Sequence, residues 1–274
     1  MSSPHGRLWV VATPIGHLDD LSARAIQTLR SVAVIAAEDT RHSAPLLTRI
    51  GATAKTVALH DHNEREQGER LVDLLLAGSD VALISDAGTP LISDPGFRLV
   101  RAARAAGIVV SPVPGASAAI AALSVAGLPS DRFVFEGFLP AKSAARRERL
   151  QQLSADARTL IFYESSHRIV ESLTDMAAVF GSAREAVIAR ELTKLFETVL
   201  DASLASLLER VVADPNQQRG EFVVLVAGAS GNDADAVLAE GRRVFTLLKE
   251  ELPAARAAKL AAAITGAPRK SLYA

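Results

Sequence analysis

Residues 81–129 constrain the fold more than any other stretch, because they carry two consecutive strand–loop–helix units. A short apolar run at 81–84 predicts a buried strand, and it stops at the polar loop SDAGTPLISDPG. A helix is predicted over 97–106 and a second strand over 108–110, followed by the turn PVPGAS and another helix. This order is typical of a parallel α/β sheet, whose ligands bind beyond the carboxyl ends of the strands. We therefore expect both loops to border a binding site.

The rest of the chain repeats this alternation. Before residue 81, strands are predicted over 7–13, 32–37 and 57–59. After residue 130, strands are predicted over 131–138, 159–163, 186–189 and 220–226. The composition shifts to a charged helix after Pro140, and we place a domain boundary there. The sequence thus predicts an α/β domain over 1–138, a second α/β domain over 139–228, and a helical appendage over 229–274.

Composition narrows the possible classes of protein. The 274-residue chain has no cysteine, which excludes disulfides and thiolate metal sites and fits a reducing cytoplasm. The first residues lack the apolar core of a signal peptide, and the run at 8–12 is too short to cross a membrane. The formal net charge is −1, so binding to a polyanion requires a local basic patch. We expect a cytoplasmic protein without a membrane segment.

The turn after the strand near residue 110 has two interpretations. Neither a GxGxxG after a strand nor a GxxxxGK[ST] motif is present, so the usual phosphate fingerprints are missing. Pro114 fixes the chain, Gly115 permits close approach, and Ser117 offers a hydroxyl beside free helix amides, which suits a cofactor carboxylate. A tight turn with a serine cap explains the same residues. Both interpretations stay open at this point.

Four further side chains are candidates for chemistry. Asp86 and Asp94 flank one loop and suit an acid–base pair or a metal, although aspartates often cap turns and helices. His60 and His62 have the spacing of a metal pair but no obvious third ligand, so capping or exposure is favoured. We predict no metal site. Asp20 is the predicted N-cap of the first helix.

Several motifs occur together and in order over residues 7–228. They are LWVVATPIGHL, EDTR, SDAGTPLISDPG, the stretch 112–129, FYESSHR, RELTKLFE and GEF. The set resembles the tetrapyrrole methylase-like superfamily of S-adenosylmethionine-dependent enzymes, in the branch that methylates ribosomal RNA. The resemblance implies two α/β domains with the methyl donor in the cleft between them, plus a small helical C-terminal appendage. It also implies a homodimer that methylates the ribose 2′-hydroxyl of a cytidine in the decoding region of 16S rRNA, within the small ribosomal subunit.

The resemblance also implies which residues hold the methyl donor. In relatives, the loops and strand ends that match this set contact the donor: Pro14, Asp86, Gly88, Thr89, Pro90, Ser117, Ala118, Tyr163, Glu164, Leu192, Thr193, Phe222 and Val223. The loop after the first strand reads TPIGHLDD and lacks the glycine-rich turn of the tetrapyrrole enzymes. That departure favours the RNA branch, and a tetrapyrrole or a protein side chain is the alternative substrate.

A ribose hydroxyl is a poor nucleophile while protonated, so we expect a base beside it. The candidate catalytic residues are Asp39, Glu164 and Lys194, the last only if burial lowers its pKa. Asp39 could orient the hydroxyl while Arg41 binds the RNA backbone. An ion pair between the two residues that holds their loop is an equally good interpretation. The candidate RNA-binding residues are Arg41, Arg146, Arg147, Arg168 and Arg190. A solvated helix face is the simpler interpretation of the basic cluster that contains Arg146 and Arg147.

Overall fold

A parallel five-stranded sheet forms the first half of the molecule. The computed structural model describes residues 5–60, 62–229 and 234–272. The strands of this sheet are β1 (Leu8–Val11), β2 (Val34–Ala37), β3 (Lys55–Ala58), β4 (Val81–Ile84) and β5 (Val110–Val113). Their order is β3-β2-β4-β1-β5, and every neighbouring pair is parallel. The predicted parallel α/β arrangement is confirmed for this half.

Helices cover both faces of the first sheet. They are α1 (Ala23–Ser31), α2 (Thr40–Arg49), α3 (Glu64–Leu76) and α4 (Phe97–Ala105). Within β4, Ala82 and Ile84 pack with α1 and α2, whereas Val81 and Leu83 pack with α3 and α4. Burial on both faces explains why this strand is a continuous apolar run and does not alternate with polar residues.

The second half contains a mixed five-stranded sheet. Its strands are β6 (Phe133–Phe138), β7 (Thr159–Ser165), β8 (Glu185–Arg190), β9 (Thr198–Ser203) and β10 (Glu221–Val226). The order is β6-β7-β10-β8-β9, with only β6 and β7 parallel. Strand β9 was absent from the prediction, and the alternating pattern gave no sign of the antiparallel pairs.

Different helices cover the two faces of the second sheet. One face packs against α6 (Ser143–Leu153), α7 (Ile169–Phe180) and α8 (Leu204–Ala213). The other face packs against α5 (Ala118–Val125), through Ala119, Ala122 and Leu123. Because α5 directly follows β5, this contact holds the two sheets together along one edge.

Three local predictions were wrong. Strand β6 pairs with β7, so a boundary after residue 138 assigns one strand to the wrong unit. The shift in composition after Pro140 marks the start of α6 and not the change of sheet. Ser22, not Asp20, caps α1, because its side chain accepts a hydrogen bond of 3.1 Å from Ala25 N. Strand β5 begins at Val110, where 108–110 was predicted.

The C-terminal part is a small helical unit. Helices α9 (Ala234–Glu251) and α10 (Ala254–Thr265) are followed by a 3₁₀ turn at Arg269–Leu272. Ala261, Ala267 and Leu272 form its buried centre. The predicted linker over 228–233 lies mostly outside the described residues, as do Tyr273 and Ala274. Among the described helices, none is long and apolar enough to cross a membrane.

Candidate active site

A cavity of about 420 Å³ lies between the two sheets, a size within the range of about 300–1,000 Å³ for small-molecule sites. The first sheet contributes the carboxyl ends of its strands. In the second sheet, β10 runs antiparallel to β7 and β8, so Phe222 pairs with Glu164 and Arg190 at the same edge. The cavity is lined from both sheets by Ile15, Glu38, Asp86, Ala87, Gly88, Thr89, Ile92, Ser93, Asp94, Ser117, Ala118, Phe138, Tyr163, Glu164, Ser165, Ser166, Ala189, Leu192, Lys194, Gly220, Glu221, Phe222 and Val223.

Hydrogen bonds connect the loops after β1, β4 and β5 into one wall of the cavity. Thr13 and Gly88 exchange backbone hydrogen bonds of 2.8 and 3.1 Å. The Thr89 hydroxyl donates to the carbonyl of Ala116 at 2.9 Å. Gly88 has a φ of +80°, a conformation that residues with side chains rarely adopt. The glycine therefore allows the close approach of the first two loops.

Tyr163 from the second sheet contacts the N-terminus of α5 from the first. Its hydroxyl oxygen accepts a hydrogen bond of 3.1 Å from Ala119 N, and burial raises the pKa of the phenol. Ser117 makes no side-chain cap hydrogen bond, so the interpretation of this turn as a simple serine cap is wrong. The start of α5 faces the cavity, where helix amides favour a carboxylate or another anion.

Lys194 reaches the cavity between two carboxylates. Its Nζ lies 2.9 Å from Glu191 Oε1 and 2.8 Å from Glu221 Oε2. Burial by itself lowers the pKa of Lys194, but the hydrogen bonds to both carboxylates raise that pKa overall. A base must be neutral near the working pH, so the raised pKa argues against the role of catalytic base predicted for Lys194. It lies in the wall as an ammonium ion.

Asp39 lies outside the cavity lining and serves as the N-cap of α2. Its Oδ1 accepts a hydrogen bond of 2.8 Å from Arg41 N, and its Oδ2 lies 3.2 Å from Arg41 Nη2. The hydrogen bonds from Arg41 lower the pKa of Asp39. The backbone N of Asp39 also donates to Asp86 Oδ1 at 3.1 Å. These contacts favour the ion pair that holds the loop over the catalytic role predicted for Asp39.

Glu164 lines the cavity, but both of its carboxylate oxygens already have partners. Its Oε1 accepts from Ser165 N at 2.9 Å and lies 3.5 Å from Arg168 Nε. Its Oε2 accepts from the Ser172 hydroxyl at 2.5 Å. A buried carboxylate with these partners anchors the start of α7, which favours a structural role for Glu164 over the predicted role as a base.

Asp94 is a cavity carboxylate whose pKa is raised. It lies with Asp86 in the loop after β4, and both side chains line the cavity. Burial, reinforced by the charge of Asp86, raises the pKa of Asp94. A raised pKa makes a carboxylate a stronger base, and such shifts mark acid–base groups in enzymes. The sequence identified this aspartate but could not separate a catalytic role from turn capping.

Strained backbone conformations occur in two loops at the cavity, the one after β4 and the one after β8. Among the described non-glycine residues, positive φ values occur at Leu91, Ser93, Glu191 and Thr193, with values of 74°, 69°, 51° and 63°. The first two follow β4 and the others follow β8. Such conformations cost roughly 1–3 kcal/mol each and cluster at functional sites.

Two of the five predicted RNA-binding arginines are buried within the fold. Arg146 is 1% exposed and donates to Asp175 at 2.7 Å, from α6 to α7. Arg190 is buried and donates to the carbonyls of Arg219 and Phe196 at 3.1 and 3.2 Å. Since neither guanidinium is available to a phosphate, both predictions of RNA contact are wrong.

The other three arginines differ in how free their side chains are. Arg168 donates to the carbonyls of Leu139 and Pro140 and is mostly engaged inside the protein. The side chains of Arg41 and Arg147 are 90% and 55% exposed. These two can reach an RNA backbone.

Most residues predicted to hold the cofactor lie in the cavity lining. Those that do are Asp86, Gly88, Thr89, Ser117, Ala118, Tyr163, Glu164, Leu192, Phe222 and Val223. Pro14, Pro90 and Thr193 are not part of the lining. The Thr193 hydroxyl instead accepts a hydrogen bond of 3.0 Å from His17 N and so joins the two halves. Ile15, Ile92 and Phe138 line the cavity but were not predicted, because an apolar residue type does not by itself separate a lining residue from a core residue.

Comparison with known proteins identifies the family. The tetrapyrrole (corrin/porphyrin) methylases match residues 7–208, and the RsmI C-terminal HTH domain matches residues 235–274. A "Ribosomal RNA small subunit methyltransferase I" from Xylella fastidiosa (strain Temecula1) is 64% identical, over 100% of this chain and 99% of the relative. One from Pseudomonas aeruginosa is 60% identical, over 98% of this chain and 95% of the relative.

Solved structures share the fold at lower identity. The methyltransferase CobJ has a TM-score of 0.62 at 21% identity, over 82% of this chain and 95% of that one. A uroporphyrin-III C-methyl transferase from Thermus thermophilus, complexed with S-adenyl homocysteine, has a TM-score of 0.56 at 18% identity, over 82% and 98%. The predicted fold class, two α/β domains with a helical appendage, is confirmed. With relatives that are 60–64% identical over 98–100% of its length, the chain belongs to the ribosomal RNA small subunit methyltransferase I family, within the tetrapyrrole methylase fold.

Proposed function

We propose that the chain binds S-adenosylmethionine in the cavity and methylates the 2′-hydroxyl of a cytidine in the decoding region of 16S rRNA, within the small ribosomal subunit. The observation that carries the proposal is the cavity between the two sheets, bordered by the motifs that the family shares. The related fold with S-adenyl homocysteine supports the choice of cofactor. The full-length relatives named as rRNA methyltransferases support the choice of substrate over a tetrapyrrole or a protein side chain.

The lining fits the different parts of the methyl donor. The amides at the start of α5, beside Ser117, suit the carboxylate of its methionine part. Leu192 and Val223 provide an apolar wall for its adenosine part, whereas the Phe222 side chain packs on the other face of the sheet. Gly88 lines the cavity and, without a side chain, leaves room for the donor to approach its loop closely. We keep Pro14, Pro90 and Thr193 as residues that position this lining.

We propose that Asp94 takes the proton of the ribose hydroxyl. When bound, the sulfonium supplies an electrophilic methyl group and leaves as a neutral thioether. The donor would supply the methyl group to the ribose oxygen, and the Asp94 carboxylate would take the hydroxyl proton. Holding the oxygen in line with the methyl carbon contributes much of the acceleration. No step of this displacement requires a metal.

We also propose that Arg41 and Arg147 contact the RNA backbone, that the protein acts as a homodimer, and that it is cytoplasmic. A chain with a net charge of −1 gathers more basic surface around one RNA when two copies assemble. Ile120 and Val125 are exposed on α5, where a second copy could cover them. Sedimentation should give a dimer, and a monomer at working concentration would contradict this part.

Labelled methyl transfer to three substrate classes tests the proposed function. The substrates are small ribosomal subunits that lack the modification, a uroporphyrinogen, and a bulk protein extract. We expect label only in the RNA of the ribosomal subunits. Label in the tetrapyrrole or in protein, with none in RNA, would contradict the proposal.

Gly16→Ala should weaken binding of S-adenosyl homocysteine about tenfold. A Cβ at Gly16 would lie 2.5 Å from Lys194 Cγ and 2.9 Å from the carbonyl oxygen of Leu192, so the cavity wall must shift. Overpacking of this kind costs about 1–3 kcal/mol, and about 1.4 kcal/mol is a factor of ten. Titration calorimetry measures the affinity. Gly68→Ala, where a Cβ meets nothing within 4 Å, is the matched control, and equal affinities in both variants would refute the prediction.

Tyr163→Phe should lower the free energy of unfolding by about 1–2 kcal/mol. It should also weaken the binding of S-adenosyl homocysteine several-fold. The ring keeps its packing on Phe135 and Phe138, at centroid distances of 4.9 and 5.7 Å. The Ala119 amide loses its acceptor, and an unpaired buried donor costs roughly 1–3 kcal/mol. Urea denaturation measures the first effect and calorimetry the second. Unchanged affinity would show that the start of α5 does not hold the cofactor.

A further inference from the structure

The loop Glu191–Glu197, between β8 and β9, combines a fixed backbone with exposed apolar side chains. We call it the 191–197 loop. Leu195 is 89% exposed and Phe196 is 67% exposed. Two adjacent and largely exposed apolar side chains beside a cavity form a small apolar patch that a ligand can contact. The loop belongs to the cavity, because Leu192 and Lys194 line it.

The backbone of the 191–197 loop is held from several sides. Lys194 N donates to Glu191 O at 3.0 Å, and Glu197 N donates to Lys194 O at 3.1 Å. Glu197 Oε2 accepts from Thr193 N at 2.6 Å. The buried Arg190 guanidinium donates to the carbonyl of Phe196 at 3.2 Å. These hydrogen bonds fix the backbone on both sides of Leu195 and Phe196.

Side chains also tie the loop to its neighbours. The carboxylate of Glu191 accepts from Glu221 N and from Lys194 Nζ, each at 2.9 Å. The Thr193 hydroxyl accepts from His17 N in the loop after β1. Both Glu191 and Thr193 have positive φ, so the fold supports a strained conformation here. A preorganised loop loses little entropy when it binds a partner.

We propose that Phe196 is a stacking platform for an unpaired RNA base next to the methylated nucleotide, with Leu195 beside it. This inference rests on the proposed function and goes beyond it by assigning an RNA contact. A ribose hydroxyl inside folded RNA reaches a cavity between two domains only when its nucleotide is splayed out, and splayed bases are typically stacked on aromatic rings. Phe196 is the aromatic residue of the loop, two positions from the cavity-lining Lys194.

The size of this surface favours a base over a protein partner. Two side chains expose far less than the roughly 1,000 Å² that a stable protein interface needs. One ring is enough for a stacked base, and stacking accepts any base because each has a π-face. Lys194 forms ion pairs with Glu191 and Glu221, so these charged groups already have partners. The exposed ring of Phe196 therefore remains available to bind a base.

Steady-state kinetics on unmethylated small subunits tests this proposal. Phe196→Ala should raise the KM for subunits about 10-fold, with kcat and the affinity for S-adenosyl homocysteine unchanged, because base stacking contributes binding energy of this order. Phe196→Trp should restore the KM, whereas Phe196→Leu should not. Phe133→Ala is the matched control, since Phe133 is 38% exposed at the end of β6 opposite the cavity.

Three outcomes would overturn the stacking proposal. They are an unchanged KM in Phe196→Ala, full recovery in Phe196→Leu, and a shift from dimer to monomer in Phe196→Ala, which would assign the surface to a second copy of the chain. If the unmodified enzyme itself fails to methylate subunits, the proposed function has failed. If it methylates them and Phe196→Ala behaves identically, only the stacking proposal has failed.

Discussion

Asp94→Asn is expected to lower kcat about 100-fold while the affinity for S-adenosyl homocysteine stays unchanged. General bases typically contribute about 10²–10⁴-fold to a rate. Asparagine keeps the size of the side chain but cannot accept the hydroxyl proton. Asp94 lines the cavity and interacts with the neighbouring Ser85 and Asp86, whereas Asp39 is paired with Arg41, Glu164 with Ser172 and Lys194 with Glu191.

The pH dependence of kcat gives a second readout for Asp94. Burial raises the pKa of its carboxyl, so protonation removes the base at a higher pH than for an ordinary aspartate. We expect kcat to fall as the pH drops through that raised pKa, and this acidic limb to disappear in Asp94→Asn. Asp201→Asn, at an exposed position on β9, should keep both the rate and the limb. An unaltered kcat in Asp94→Asn would exclude Asp94 as the base.

Thermal stability separates a catalytic loss from unfolding. A carboxyl with a raised folded-state pKa stabilises the fold while protonated, and this contribution is lost as the pH rises through that pKa. At neutral pH the ionised Asp94 therefore costs stability, and a neutral asparagine removes that cost. The Tm of Asp94→Asn should equal or exceed that of the unmodified protein. A lower Tm together with lower activity would count against a catalytic role.

Arg146→Ala should lower the free energy of unfolding by about 3–5 kcal/mol, since removing one partner leaves a buried charge unpaired. Arg146 Nε lies 2.7 Å from Asp175 Oδ2, and Arg146 Nη2 lies 3.3 Å from Glu171 Oε2. In a chain of this length the change corresponds to a fall in Tm of roughly 10 °C. Differential scanning calorimetry measures it.

Arg147→Ala is the matched control for this stability prediction. Arg147 is the next residue on α6, is 55% exposed, and lies 3.9 Å from Asp175 Oδ1. An exposed pair contributes at most about 1 kcal/mol, so this variant should unfold almost like the unmodified protein. Combining Arg146→Ala with Asp175→Ala should cost less than the sum of the single variants. Equal effects of Arg146→Ala and Arg147→Ala would contradict the assignment of Arg146 to the core.

The first sheet could be predicted because its strands are short apolar runs that end in polar loops. The second sheet could be predicted only in part. Periodicity gives no strand direction, and β9 is only partly buried, so its apolar pattern is weak. The basic cluster on α6 was misleading for a physical reason, since the partner of Arg146 is Asp175, 29 residues further along the chain.

The candidate site was also predictable only in part. Loops such as that of Gly88 and Thr89 lie at the cavity as predicted, because strand ends of a parallel sheet meet at one edge. The chemical state of each side chain depended on contacts that the sequence does not contain. Lys194 is paired by Glu221 from β10, and Glu164 is hydrogen-bonded by Ser172 from α7. Roles that depend on pKa could therefore not be assigned from motifs alone.

The most direct test of the central claim is nucleoside mass spectrometry after methyl transfer to small ribosomal subunits that lack the modification. The protein, labelled S-adenosylmethionine and the subunits are incubated together, and the 16S rRNA is digested to nucleosides. We predict that the label is found in 2′-O-methylcytidine and is greatly reduced with Asp94→Asn. Label on a base, on protein, or absent despite cofactor binding would contradict the assignment of this cavity to ribose methylation.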